Sequence, residues 1–408
     1  MGSSGKTLLI VSGGIEAADA ARRAKEMGHT VVVSDIDPQA PGFAFADSCL
    51  IADVYGPVET AAAAERYSRK IRKIDGVLCV AADAPVTVAT VAQRLRLPGL
   101  PVHVAELACD KLAMKKCFRS AGVAVPWYAE VSTPQELQRI AVERGSDLVI
   151  KPVDSRGSRG VQRLSQVKDL AKALQFARSH SPTSRVMVEA YLPGPQVSTE
   201  SVVVDGVCYT PGFSDRNYEY LEKYAPYFIE NGGDLPSFLP EDIQTRVRAV
   251  QSQAAAALGV TRGTVKGDIV VHEGQVYVIE LAARLSGGFF CTREIPLNTG
   301  VDFIGSAIRV ALGENPSAEE LMPKYQKPIC QRYIIPGAGK VVAIAGADEA
   351  RLIPGVLEVN VTAKIGDVIP PAGDKRPSAT MVIATGETRE AAQRAAAAAL
   401  STIRIVVQ

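Results

Sequence analysis

The chain of 408 residues lacks any uninterrupted apolar run of the roughly 20 residues that a membrane-spanning helix requires. It also lacks a charge bias: 45 Lys and Arg nearly balance 44 Asp and Glu. That balance argues against a broad nucleic-acid or membrane surface and leaves room for a local basic cleft. The seven cysteines, Cys49, Cys79, Cys109, Cys117, Cys208, Cys291 and Cys330, are scattered and form no CxxC pair. A disulfide framework or a zinc site is therefore not expected; buried free thiols in a reducing cytoplasm are. The first residues, MGSSGKT, lack the long apolar core of a signal peptide and read in part as a tag remnant. No tandem repeat is present. These absences predict a cytoplasmic protein with neither nucleic-acid nor membrane partners.

Two nucleotide signatures are incomplete. GSSGKT (2–7) has the tail of a phosphate-binding P-loop, but nothing precedes it and a strand rather than a helix follows. SGGIEA (12–17) puts Ser12 and Ala17 at the outer positions of GxGxxG. The Gly13-Gly14 turn then reflects close helix–strand packing, and a nicotinamide site with Asp35 or Asp37 on a ribose is the lesser reading.

What is present is ordinary in composition, 47% hydrophobic and 22% charged, and long enough for two to four domains. Residues 7–11 and 31–35 read as strands around an Ala-rich helix, and GVLCVA (76–81) as another strand before a helix. This alternation predicts a parallel sheet with helices on both faces. A helix from Asp110, its N-cap, to Ala121 opens a second segment. Short strands, Gly-rich turns and helices near 166–179 and 240–258 follow. A third segment, from 318, ends with an Ala-rich helix (387–400) and the strand TIRIVV. The predicted domains are 1–109, 110–317 and 318–408.

Four separated segments carry chemistry. Asp110-Lys111 opens a helix. VIKPVDSRGSRGV (149–161) delivers Lys151 on a strand, then a loop with Ser155, Gly157, Ser158, Gly160 and Val161. Glycines let backbone N–H groups approach phosphate oxygens, and a nearby ammonium adds charge. In VMVEAYLPGPQVSTES (186–201) a strand ends at Glu189 and crosses to a second strand, the kind of crossing that offers backbone groups to an adenine edge. GTVKGDIVVHEGQVYVIELAARLSGG (263–288) reads as a β-hairpin. A three-residue loop would pair Asp268 with Glu280 on one face; a two-residue Glu-Gly turn would put Glu280 on the other face. Neighbouring carboxylates repel unless a cation sits between them, and magnesium suits two carboxylates plus phosphates. Arg284 follows, able to clamp a transferring phosphoryl group.

Taken in this order, the segments resemble the ATP-grasp superfamily over nearly the whole chain. The resemblance implies an α/β protein: a doubly wound parallel-sheet N-terminal domain, a two-lobed α+β nucleotide-binding domain with lobes about 110–187 and 188–317, and a C-terminal α+β region. It implies ATP and Mg2+, with Mn2+ able to substitute, as cofactors. Lys111 and Lys151 look like the phosphate lysines, and 157–161 like the mobile glycine-rich loop. Glu189, Ala190 and Leu192 look like the adenine hinge, Asp268 and Glu280 like the metal acids, and Arg284 like the arginine at the reacting phosphate. Ser286, Gly287 and Gly288 would approach the acyl group, and Arg293 and Lys223 would anchor a substrate carboxylate. Three positions depart from the pattern. Ala282 stands where Asn is usual, which removes one magnesium ligand. Gln196 replaces the ribose acid unless Glu200 takes over that contact, and Lys266 replaces a histidine.

Within the superfamily, 225–240 (APYFIENGGDLPSFLP) and the run 336–392 are similar to the L-amino-acid ligase group. That likeness implies an ATP-dependent carboxylate–amine ligase working through an acyl phosphate, with small carboxylic acids and amines, amino acids foremost, as partners. It also carries the superfamily's habit of forming homodimers. The alternatives are another ATP-grasp ligase, of glycinamide ribonucleotide synthetase or biotin carboxylase type, a non-catalytic nucleotide binder, and a nicotinamide oxidoreductase.

Overall fold

A computed structural model describes residues 5–371 and 380–408. Residues 2–4 of the P-loop look-alike and 372–379 of the C-terminal run lie outside the described residues.

The N-terminal sheet is parallel and four-stranded, ordered Ser48–Ile51, Thr30–Asp35, Thr7–Val11, Gly76–Cys79. Alternate residues of its first strand serve opposite faces. Leu8 and Ile10 pack on the Ala-rich helix Ile15–Glu26 and on Phe303–Ala311, a helix from much later in the chain. Leu9 and Val11 pack on the helices Pro57–Lys70 and Pro85–Leu95. Both faces being covered, the central strand Thr7–Val11 and its neighbour Gly76–Cys79 are buried along their whole length, as a parallel sheet requires, whereas the edge strand Ser48–Ile51 is partly exposed. The later helix joins this domain to the rest of the molecule through one core.

A second sheet holds Tyr128–Val131, Val186–Ala190, Leu148–Pro152 and Gln162–Arg163, with the helices Pro134–Arg144 and Leu170–Ser179 against it. This lobe runs to Ala190, three residues past the boundary expected at 187. Beneath it lies an eight-stranded antiparallel sheet. Its order is Gln275–Ala282, Gly263–His272, Gln196–Val204, Val207–Arg216, Gly233–Leu235, Ile329–Ile334, Thr380–Thr385, Val356–Val361. The sheet crosses residue 318 without interruption, so the second and third predicted segments share one sheet. A small sheet of Val368–Ile369, Gly339–Ala345 and Arg404–Val407 completes the fold.

The hairpin that carries the acids turns on two residues, Glu273 (φ 49°) and Gly274 (φ 76°). Positive φ at both is the I′ geometry that matches strand twist. By itself this turn would send Glu280 to the face opposite Asp268. A bulge corrects the register: Ile269 pairs with Val278 but Asp268 pairs with Glu280, leaving Ile279 as the extra residue. Neither turn considered from the sequence describes this arrangement, because a bulge leaves no signature in an apolar run.

All seven cysteines are free, but only Cys79, Cys291 and Cys330 are buried. Cys49 is exposed, which corrects the expectation of buried thiols throughout. No described helix is long and apolar enough to cross a membrane.

Candidate active site

A cleft opens between the two lobes and against the C-terminal end of the N-terminal sheet. Its inner part, about 120 Å³, is walled by Val149, Val161, Val270 and the bulged Ile279, and rimmed by Ala190, Leu192 and Gln196. The hinge amides of Ala190 and Tyr191 already donate to the carbonyls of Trp127 and Asp147. The Leu192 amide has no protein partner among the described residues. Under the hinge, Glu189 is 3% exposed and lies between two lysines. Lys151 Nζ donates to its Oε1 at 2.5 Å, and Lys115 Nζ pairs with its Oε2 at 2.8 Å. Burial pushes the Glu189 carboxyl up, and the two lysines outweigh that and hold it below the ordinary range. Lys115, fully buried, is pushed down to about 8 by its own desolvation. Lys115 was not singled out from sequence. It follows Lys111 by one helical turn, and that i, i+4 spacing was the available signal.

The outer part, about 380 Å³, is lined by Ser155, Gly157 and Ser158 of the glycine-rich loop, by Lys111, and by Asp268, Glu280 and Arg284. The loop carries positive φ at Gly157 (63°), Ser158 (58°) and Gly160 (75°). A side chain at Gly160 would strike Pro152 and His180. Lys111 Nζ donates to the Ser155 carbonyl at 2.5 Å and lies 3.6 Å from Glu280. Arg156 stacks on the Tyr55 ring at 3.6 Å and donates to the Asp83 carbonyl, so the loop is pinned to the N-terminal domain.

Asp268 and Glu280 both face this cleft, and Lys151 lines its inner part beside them. Asp268 accepts from Arg216 at 2.7 Å, from Lys266 and from Ser198. Burial pushes its carboxyl up, but Arg216 and Lys266 hold it well below the usual carboxylate range. Arg216 is itself shared with Glu230, at 2.5 and 3.1 Å. Arg284 donates to Asp83 at 2.7 Å. Asp83 sits just beyond the strand Gly76–Cys79, and a bridge between Val80 and Leu285 ties the two segments. Asp83 and Arg216 were both missed in the sequence. Only the general rule that α/β sites lie past strand C-termini could have pointed to Asp83.

The donor set suits a hard divalent cation: two carboxylates on adjacent strands and, among the described residues, no third His, Cys, Asp or Glu grouped with them. Such a site needs phosphate oxygens and water to complete it. Ala282, facing the same cleft, offers no ligand.

A third cavity of about 200 Å³ is lined by Ser286, Gly287 and Gly288 together with Arg216, Glu230 and Glu294. The Gly288 and Phe289 amides each donate to Glu16 at 2.8 Å.

Four expected roles change. Arg293 faces away from the cleft: it donates to Asp19 at 2.8 Å and Glu358 at 3.1 Å, tying three regions together. Lys223 lies over the rings of Tyr220 and Tyr224, outside every cavity described above. Glu200 is fully buried on the strand beside that of Asp268, opposite Lys266, where it accepts the Ser286 amide, and burial raises it to about 8; it does not line the hinge pocket. Gly160 supports the loop from beneath rather than lining the cleft. Of the two acids of the dinucleotide alternative, Asp35 accepts the amides of Gly13, from the turn after the first strand, and of Asp37, and Asp37 accepts the Gln39 amide.

Residues 108–288 match the family model of the ATP-grasp domain, and 332–408 match that of the L-amino acid ligase C-terminal domain 2. The chain contains an ATP-grasp domain. An uncharacterised protein of Sinorhizobium fredii is 29% identical over 333 residues, 80% of this chain and 67% of its own length. A D-alanine--D-alanine ligase of Synechococcus is 33% identical over 197 residues, 45% of this chain and 58% of that enzyme. The match thus spans less than two thirds of that ligase. Among solved structures, an L-amino acid ligase from Bacillus licheniformis superposes with a TM-score of 0.85 at 20% identity, covering 100% of both chains. Phosphoribosylglycinamide synthetase from Anaerococcus prevotii gives 0.77 at 19% identity, over 99% of this chain and 100% of that one. At such identities both likenesses concern the fold.

Proposed function

We propose that this protein is a ligase that joins a small carboxylic acid to an amine at the expense of ATP. The observation that carries the proposal is the bulge that turns Asp268 and Glu280 into one cleft with Lys111, Lys151, Arg284 and the glycine-rich loop. Two acids without cations repel, and cations without acids would bind any anion; the mixture fits a metal–triphosphate complex.

The adenine would lie between Val149, Val161, Val270 and Ile279, with its edge on the Leu192 amide. Lys111, Lys151 and the loop amides would hold the phosphates. Glu280 and Asp268 would hold magnesium or manganese, which would supply charge neutralisation at the phosphoryl oxygens. Glu280 is the freer ligand, since Asp268 already serves Arg216 and Lys266. An oxygen of the substrate carboxylate attacks the γ-phosphorus, the bond to ADP breaks, and an acyl phosphate forms. Arg284, oriented by Asp83, stabilises the charge on the transferring group. The amine then attacks the acyl carbon, phosphate leaves, and the amine proton passes to solvent or phosphate. The loop, held down by Arg156 on Tyr55, keeps water from the acyl phosphate.

The test is ADP release over pairs of amino acids and other organic acids with amines, with Lys151→Ala and Glu280→Ala as controls. Release that requires both an acid and an amine, and falls in both variants, supports the reading. ATP binding without release under every mixture would leave a nucleotide-binding protein instead, and activity surviving Glu280→Ala would refute the metal assignment.

A further inference from the structure

Among the described residues only two lysines are buried, Lys115 at 0% exposure and Lys151 at 4%, and both meet the carboxylate of Glu189. The backbone fixes this arrangement. Glu189 pairs with Val149 on the neighbouring strand, so Lys151, two residues on, lies diagonally across from it on the same face. Lys115 reaches the other carboxylate oxygen from the helix Lys111–Ser120. That helix is tied to the same lobe: the Lys111 amide donates to the Val153 carbonyl at 3.0 Å, just past Lys151, and Arg185 donates to the cap residue Asp110 at 2.6 Å.

The two lysines differ in what they can reach. Lys151 lines the inner cleft beside the hinge, and Glu189 is its hydrogen-bond partner. Lys115 lines none of the three cavities described above, so it acts on a ligand only through Glu189. One carboxylate between two ammoniums leaves this buried group with one positive charge in excess. Shielded from water, that excess is felt more strongly than it would be at the surface. Lys151 and Glu189 without Lys115 would be a neutral contact pair, which holds the ammonium in place but cancels most of its pull on an anion. The two ammoniums without Glu189 would repel one another.

We propose that Lys115 is a positioning residue for the nucleotide: by sharing Glu189 it lets that carboxylate orient Lys151 without neutralising it, so that a full positive charge faces the phosphates. The inference rests on the nucleotide-binding part of the reading above. It concerns the charge at the cleft and leaves the shape of the adenine pocket alone. Loss of Lys115 therefore weakens ligands that carry phosphates, whose contacts with an ammonium are charge-assisted, and spares the bare nucleoside.

The test uses the full chain and two probes, ADP with magnesium by calorimetry and adenosine by displacement of ADP. Lys115→Met is expected to weaken ADP about tenfold, the scale of losing one charge near an anion in a partly dry site. Adenosine should stay within about twofold of wild type, because its pocket shares no partner with Lys115. The double variant Lys115→Met/Glu189→Gln removes both charges and leaves Lys151 alone with the single positive charge. It is expected to return ADP to within about threefold of wild type, the non-additivity that coupled charges show. A purely structural Lys115 would weaken both probes alike, and the double variant would not recover. Unchanged ADP binding in Lys115→Met, equal losses for ADP and adenosine, or no recovery in the double variant each overturns the proposal and leaves the nucleotide reading intact. Failure of wild type to bind ADP refutes the nucleotide reading, and this proposal with it. If Lys115→Met does not fold, Lys115→Gln takes its place. If neither single variant folds, the double variant decides, and a loss of ADP affinity of about tenfold or more in it overturns the proposal.

Discussion

Asp268 and Glu280 face one another across an antiparallel pair because a single residue between them and the turn, Ile279, is bulged out of register. The extra residue packs into the wall of the hinge pocket while its neighbour Glu280 points at the phosphate end. One irregularity thus serves both halves of the nucleotide site. Glu280→Gln keeps this register and removes one carboxylate of the facing pair. The expected outcome is a loss on the order of 100-fold in ADP release, as when a group that stabilises developing charge is removed. The variant should remain folded by circular dichroism, and a variant of undiminished activity would show that Glu280 is not a ligand.

The stacking of Arg156 on Tyr55 holds the glycine-rich loop to the N-terminal domain. A cation–π pair with a half-exposed ring contributes about 1 kcal/mol. Tyr55→Ala should therefore raise KM for ATP about fivefold. It should also increase ADP release that is not matched by product, because water gains entry. Coupling ratios measured by parallel ADP and product assays decide the point.

Glu16 is buried under the Gly288 and Phe289 amides and raised to about 7 by desolvation. A carboxyl raised in the fold adds stability below its unfolded value, and that contribution is lost as pH rises through the folded value. Between about pH 4.5 and 7, wild type should therefore lose stability relative to Glu16→Gln, by on the order of 3 kcal/mol. Thermal melts of the pair across that window test the sign; a difference independent of pH would refute it.

Arg293 binds Asp19 and Glu358 rather than substrate. Arg293→Ala should lower stability by about 1–3 kcal/mol, the usual scale for a hydrogen bond to a charged group. Its ADP release should stay within about threefold of wild type. A selective rise in KM for the acid would return Arg293 to the substrate site.

Much of the site was legible because its parts are short and local. Lys151 precedes its loop by a few residues, and Glu280 and Arg284 lie one strand end apart. What escaped was contributed from afar. Asp83 meets Arg284 across 201 residues, and Arg216 meets Asp268 across 52. Lys115 drew no notice because a lysine in a helix usually faces water; only the burial of Glu189 beside it gives it a role. Arg293 misled for the converse reason, its charge being visible in sequence and its partners not.

By itself, the sequence determined the order of the elements, the N-terminal alternation of strand and helix, and the residue types able to hold a metal–phosphate complex. These are properties of local periodicity and spacing, which a chain carries before it folds. Only the tertiary structure decided which face Glu280 occupies and which cations are already committed. Those depend on register, burial and contacts between distant segments, and their energies exist only once water has been excluded.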